Sequence, residues 1–110
     1  MNTDDLEWHD GILREIRILG TGAIQVICDL YPDHAATSRM QMSFQCFRVK
    51  SVANLIDFTA LLDNQCAGNI NDGRIETHPD GHTTLKLFLN DGYLEIISAE
   101  MRIDSKQANG

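Results

Sequence analysis

The sequence predicts a single α+β domain, mainly antiparallel β. Three observations predict it. Apolar side chains recur at every second position over most of the chain, Gly- and Pro-containing turn signals punctuate those runs, and one stretch alone carries helical spacing. The chain has 110 residues, 43% of them hydrophobic and 23% charged. That is ordinary globular composition, with room for one domain and a core that needs no metal or disulfide staple. Residues 6–104 are expected to be ordered, and the polar stretch 105–110 is expected to fray.

The first strand is expected over Gly11 to Leu19, where Ile12, Ile16 and Ile18 share one face and Glu15 and Arg17 the other. Gly20-Thr21-Gly22 is a turn, and Ile24, Val26, Cys28 and Leu30 alternate beyond it, which makes an N-terminal hairpin. Tyr31-Pro32-Asp33-His34 ends the pair, because Pro32 lacks a ladder donor and Asp33 favours turns. A long third strand begins at Met40, with Met42, Phe44 and Cys46 on one face. Phe47 and Val49 take the opposite parity, which predicts a bulge.

One short helix is expected over about 55–65, where Leu55, Phe58, Leu61 and Leu62 cluster at helical spacing. Asp57 is its N-cap, and Gly68 lies where such a helix stops. The alternative continues the third strand from Val49 to Leu55 and leaves only 57–64 helical. Asn71-Asp72-Gly73, Pro79-Asp80-Gly81 and Asn90-Asp91-Gly92 are read as three turns delimiting a C-terminal three-stranded meander: Arg74 to His78, Thr83 to Leu89 and Tyr93 to Ala99. Met101 and Ile103 extend the alternation. The helix is expected to cover one sheet face, or a curved sheet to close partly on itself. Lys86, Glu95 and Arg102 are expected to blunt exposed strand edges.

The formal net charge is −7. It argues against a nucleic-acid partner, which requires cationic groups to displace phosphate counterions, and permits a basic protein partner. The first five residues are acidic where a secretory signal carries cations, and no apolar run approaches the ~20 residues that span a bilayer. A cytoplasmic location without membrane attachment is therefore expected. Cys28, Cys46 and Cys66 are widely spaced and odd in number, which fits free thiols rather than a disulfide framework.

Chemistry-bearing patterns are few. His78-Pro79-Asp80-Gly81-His82 offers a two-His metal site completed by Asp80, but its Pro-Asp-Gly centre reads as a hairpin turn flanked by two exposed histidines. The stretch Gly68 to Gly73 lacks the alternating oxygen ligands of a calcium loop. No nucleophile elbow or phosphate-binding glycine loop is present, so no cofactor and no catalytic set are expected. The segment Asp4-Asp5-Leu6-Glu7-Trp8-His9-Asp10 joins four carboxylates to the only tryptophan. Trp8 either packs over an open end of the sheet or anchors a partner, with Asp5, Glu7, His9 and Asp10 as its acidic and titratable surround.

Trp8-His9-Asp10-Gly11-Ile12-Leu13, the stretch Leu62 to Gly73 and Gly92-Tyr93-Leu94-Glu95-Ile96 resemble small uncharacterised bacterial proteins that open on a Trp-His-Asp-Ser-x-Leu-type signature. Gly11 stands where that signature has serine, so no role of that hydroxyl carries over. Some of those proteins are regarded as immunity-like, neutralising bacterial toxins, and the resemblance implies a cytoplasmic, non-catalytic, β-rich module. The leading expectation is thus a non-catalytic protein-binding module with an acidic surface. One alternative is a small-ligand-binding protein or enzyme whose pocket, between helix and sheet, is lined by His9, Asn64 and Asn69. Another is a structural homodimer.

Overall fold

In a computed structural model of the chain, which describes residues 6–20, 22–56, 69–90 and 92–107, six antiparallel strands close into a barrel. They are β1 (Glu7–Leu19), β2 (Ala23–Tyr31), β3 (Met40–Leu55), β4 (Ile70–Thr77), β5 (Thr83–Leu89) and β6 (Gly92–Gln107). Around the barrel the order is β1-β2-β3-β6-β5-β4, two three-stranded meanders set edge to edge. Among the described residues there is no helix, and hence none long and apolar enough to cross a membrane.

The expected N-terminal hairpin, long third strand and C-terminal meander are all present. The helix expected at about 55–65 is not found where it can be observed. Leu55 is the last residue of β3, paired with Tyr93, and residues 57–65 lie outside the described residues. The extension of β3 to Leu55 is dictated by its partner, because β6 offers a ladder from Met40↔Gln107 to Leu55↔Tyr93. That same ladder carries residues 105–107, expected to fray, as ordered strand. The bulge expected near Phe47 lies at the register shift between Val49 and Ser51, beside Arg48 with φ 50°.

Two further expectations are corrected. Asn71-Asp72-Gly73 is not a turn but part of β4, with a register shift between Ile70 and Asp72. Gly73 is required there because the Trp8 indole lies on its backbone, and a Cβ would overlap Trp8 Cδ2 and Cε3. Ile12, Ile16 and Ile18 do not share a buried face. A register shift between Leu13 and Glu15 sets Ile12 opposite Asp29, whereas Ile16 and Ile18 oppose Val26 and Ile24. Ile12 is buried, but Ile16 is 40% and Ile18 80% exposed. Among the described residues, their stretch of β1 has a ladder partner on one side only, β2.

The core fills the barrel from all six strands. Val26, Cys28 and Leu30 face Met42, Phe44 and Cys46 on one side, while Leu85, Leu87, Leu94 and Ile96 close the other. Trp8 stacks on Phe44 with ring centroids 5.6 Å apart and 24° between planes, a geometry worth about 0.5–1.5 kcal/mol beyond area burial. Lys86, Glu95 and Arg102 do not guard edges, since β5 and β6 are flanked on both sides in the closed order. Instead Lys86 pairs with Glu95 at 3.5 Å, and Arg102 lies over the Phe47 ring.

Gly73→Ala is expected to destabilise the fold by about 1–3 kcal/mol through overpacking against Trp8. In thermal unfolding that is a fall in Tm of roughly 4–8 °C per kcal/mol. Ile18→Thr, at an exposed site, should stay within about 0.5 kcal/mol of the parent in the same measurement.

Candidate functional site

The barrel closes unevenly. β3 and β6 pair along a long ladder, but β1 and β4 share a single ladder pair, Gly11↔Ile70. Side chains do the remaining work of that seam. Asn69, 2% exposed, donates its backbone N–H to the Gly11 carbonyl at 2.9 Å, and its Oδ1 accepts the Leu13 N–H at 2.7 Å. The Asn69 carbonyl accepts from Asn90 N at 3.1 Å, which ties the same residue to the β5–β6 hairpin. On the other side of Gly11, His9 Nδ1 lies 3.4 Å from the Asn71 carbonyl oxygen.

Beyond that point the two strands diverge and leave a groove of about 400 Å³. Its course is set by β1. A register shift between Glu7 and Ile12 and a positive φ of 64° at Asp10 bend the strand away from the ladder line. Leu6, Trp8, Gly73 and Ile75 line the groove together with Glu7, Asp72 and Glu76, against Arg74 and His34. Three carboxylates against one guanidinium make it acidic. The β2–β3 loop folds over one end, where His34 Nδ1 contacts Glu7 Oε2 and Arg39 Nε donates to the Asp10 carbonyl at 3.1 Å. Asp33 shapes that loop by accepting the Ala35 N–H at 2.8 Å.

The candidate residues read from sequence separate into several groups here. Glu7 lines the groove, His9 spans the seam, and Asp10 turns β1 at its bulge. Trp8 is 8% exposed and belongs to the core, so its indole is no exposed partner anchor. Asp5 and Asn64 lie outside the described residues. His9 and Asn69 both lie at the seam but on opposite sides of Gly11, His9 against the Asn71 carbonyl and Asn69 against the Leu13 N–H. No spacing in the sequence marks Asp72, Arg74, Glu76 and His34 as one site. Asp72 was hidden in an apparent turn, and the others have no local pattern.

His78, Asp80 and His82, the residues of the metal alternative, lie at the β4–β5 turn. His78 Nε2 is 2.6 Å from Thr84 Oγ1, while His82 Nδ1 turns to Asp80 Oδ2 at 3.2 Å. Among the described residues no group of three His, Cys, Asp or Glu side chains converges as a metal site. The stretch is a turn, in which Asp80 accepts the His82 backbone N–H at 3.0 Å. That hydrogen bond holds the Asp80 carboxyl below the usual carboxylate range. Cys28 and Cys46 are buried free thiols, and burial pushes both thiol pKa values up, away from reactive thiolate.

A second depression, on the outer face across β3, β6 and β5, is lined by Ala53, Phe88 and Tyr93 with the Lys86–Glu95 pair at its rim. Comparison of the chain with protein-family models, with curated proteins and with solved structures finds no match.

Asn69→Ala is expected to leave the buried Leu13 N–H without its acceptor, costing about 1–3 kcal/mol of stability, seen as a lower denaturant midpoint at unchanged slope. Native-state hydrogen exchange should show the Leu13 amide losing protection more than amides of β5. In a Cys66→Ser background, Cys28 and Cys46 should resist a thiol reagent until denaturant is added.

Proposed function

We propose that the protein is a non-catalytic protein-binding module whose working surface is the acidic groove between β1 and β4. One observation carries this reading: the divergence of those strands leaves Glu7, Asp72 and Glu76 around one concave site. Around it the barrel interior is packed with apolar side chains, and its buried thiols are chemically quiet. A net charge of −7 extends the same sign of field beyond the groove. The complementary partner is a protein with a basic segment, which the groove would steer and orient through charge. A bacterial toxin neutralised by this chain is the partner class suggested by its resemblance to immunity-like proteins, and a cytoplasmic location goes with that reading.

Trp8→Ala does not test the surface, because removing a buried aromatic costs about 3–5 kcal/mol of fold stability. The informative variant is Glu76→Lys, at an exposed position on β4. Captured from the native cell extract at low salt, the partner should bind the parent chain and be released as screening shortens from about 10 Å at 0.1 M toward 3 Å at 1 M. Glu76→Lys should slow association on the order of tenfold while leaving the melting temperature within a few degrees. Binding that ignores both salt and Glu76→Lys would rule the acidic groove out.

A further inference from the structure

We infer that the groove receives the partner as an extended basic segment, added as a strand to the free edge of β4. This rests on the reading of the groove as a protein-binding site and specifies how the site is used. On one side β4 is paired with β5 from Ile70↔Leu89 to Thr77↔Thr83. On the other, only Ile70 has a ladder partner among the described residues. The edge from Asp72 to Thr77 therefore flanks the groove with its seam-directed backbone groups outside any ladder.

The local geometry keeps that edge open. The Trp8 indole rests on Gly73 on the side a Cβ would occupy, packing the barrel interior behind the edge, and below Gly11 the described residues of β1 make no ladder pair with β4. Gly73 N–H is closed by Asp72 Oδ1 at 2.8 Å. Because alternate residues of a strand address the same neighbour, Ile75 and Thr77 stand in phase with Gly73 and turn their N–H and C=O groups toward the groove. At roughly 3.3 Å per residue, the edge from Asp72 to Thr77 matches a segment of about five or six residues.

Charge selects the occupant. Glu7, Asp72 and Glu76 against Arg74 favour lysine and arginine on the added strand, and the half-buried Ile75 meets an intervening apolar side chain. A second copy of this chain would bring its own −7 to the same edge, and the N-terminal Asp4-Asp5 would set carboxylates against carboxylates. Both are disfavoured relative to a cationic segment of another protein.

Three synthetic heptapeptides test this on the full ¹⁵N-labelled chain: alternating Lys-Val, alternating Glu-Val, and Lys-Val with alternate backbone nitrogens methylated to remove strand-pairing N–H groups. The Lys-Val peptide should shift resonances of residues 74–77 and Glu7 and slow hydrogen exchange at Ile75 and Thr77 at least tenfold. The methylated peptide should bind at least tenfold more weakly, and Glu-Val not at all. Thr77→Pro, which deletes one edge N–H at an exposed position, should weaken Lys-Val binding without altering the fold's melting. Equal binding of the methylated peptide would overturn strand addition and leave the acidic protein-binding groove standing. No shift with either basic peptide, or shifts remote from β4, would overturn both. Edge protection in the peptide-free protein also counts against the proposal: concentration-dependent protection marks a second copy, and protection persisting on dilution marks coverage by the chain itself.

Discussion

The barrel depends on one narrow point of closure. Gly11 and Ile70 form the single ladder pair between β1 and β4, and Asn69 reinforces it from within by satisfying both the Gly11 carbonyl and the Leu13 N–H. Without that junction the sheet would be open, with β1 and β4 as long edges and their inner faces wet. Buried backbone groups demand partners, and here a side-chain amide supplies what a regular ladder would have supplied. Asn69 is thus more consequential than its polarity suggests, since it substitutes for a strand neighbour at the one place where the two meanders must meet.

The same junction explains the groove. Strands that meet at one pair must part on either side of it, and each side is treated differently. Toward the β1–β2 hairpin, Ile16 and Ile18 are left partly or largely exposed. Toward the N-terminus of β1, the gap is plugged from inside by Trp8, stacked on Phe44 and laid on Gly73. The plug keeps the core dry while leaving a concave surface outside it. Residues that look like functional candidates by composition, Trp8 above all, are therefore the support of the site, and its chemistry comes from the neighbouring carboxylates.

The packed interior favours the outer surface for the proposed function. Phe44, Leu30, Met42, Leu85, Leu87 and their neighbours fill the space that larger barrels leave for ligands. Among the described residues, burial raises the thiol pKa of Cys28 and Cys46 and keeps both from acting as thiolates. What lies outward is a net negative charge and, among the described residues, a β4 edge without a ladder partner beyond Ile70, the two features on which the proposed recognition of another chain rests.

The sequence by itself determined the strands and most of their order in the chain. Period-two alternation at Ile24 to Leu30, Met42 to Cys46 and Leu85 to Leu89 is a local property, and so are the turns at Gly20–Gly22 and Pro79–Gly81. Even the change of parity after Cys46 was legible, because a bulge shifts the pattern within one strand. Tertiary structure alone decided how β3 extends to Leu55, why Asn71-Asp72-Gly73 runs straight, and which isoleucines of β1 are buried. Each depends on a partner distant in the chain: β6 for Leu55, Trp8 for Gly73, and the short overlap with β4 for Ile16 and Ile18. Glu7, His34, Asp72 and Glu76 become one site for the same reason, since barrel closure rather than sequence spacing brings them around a single groove.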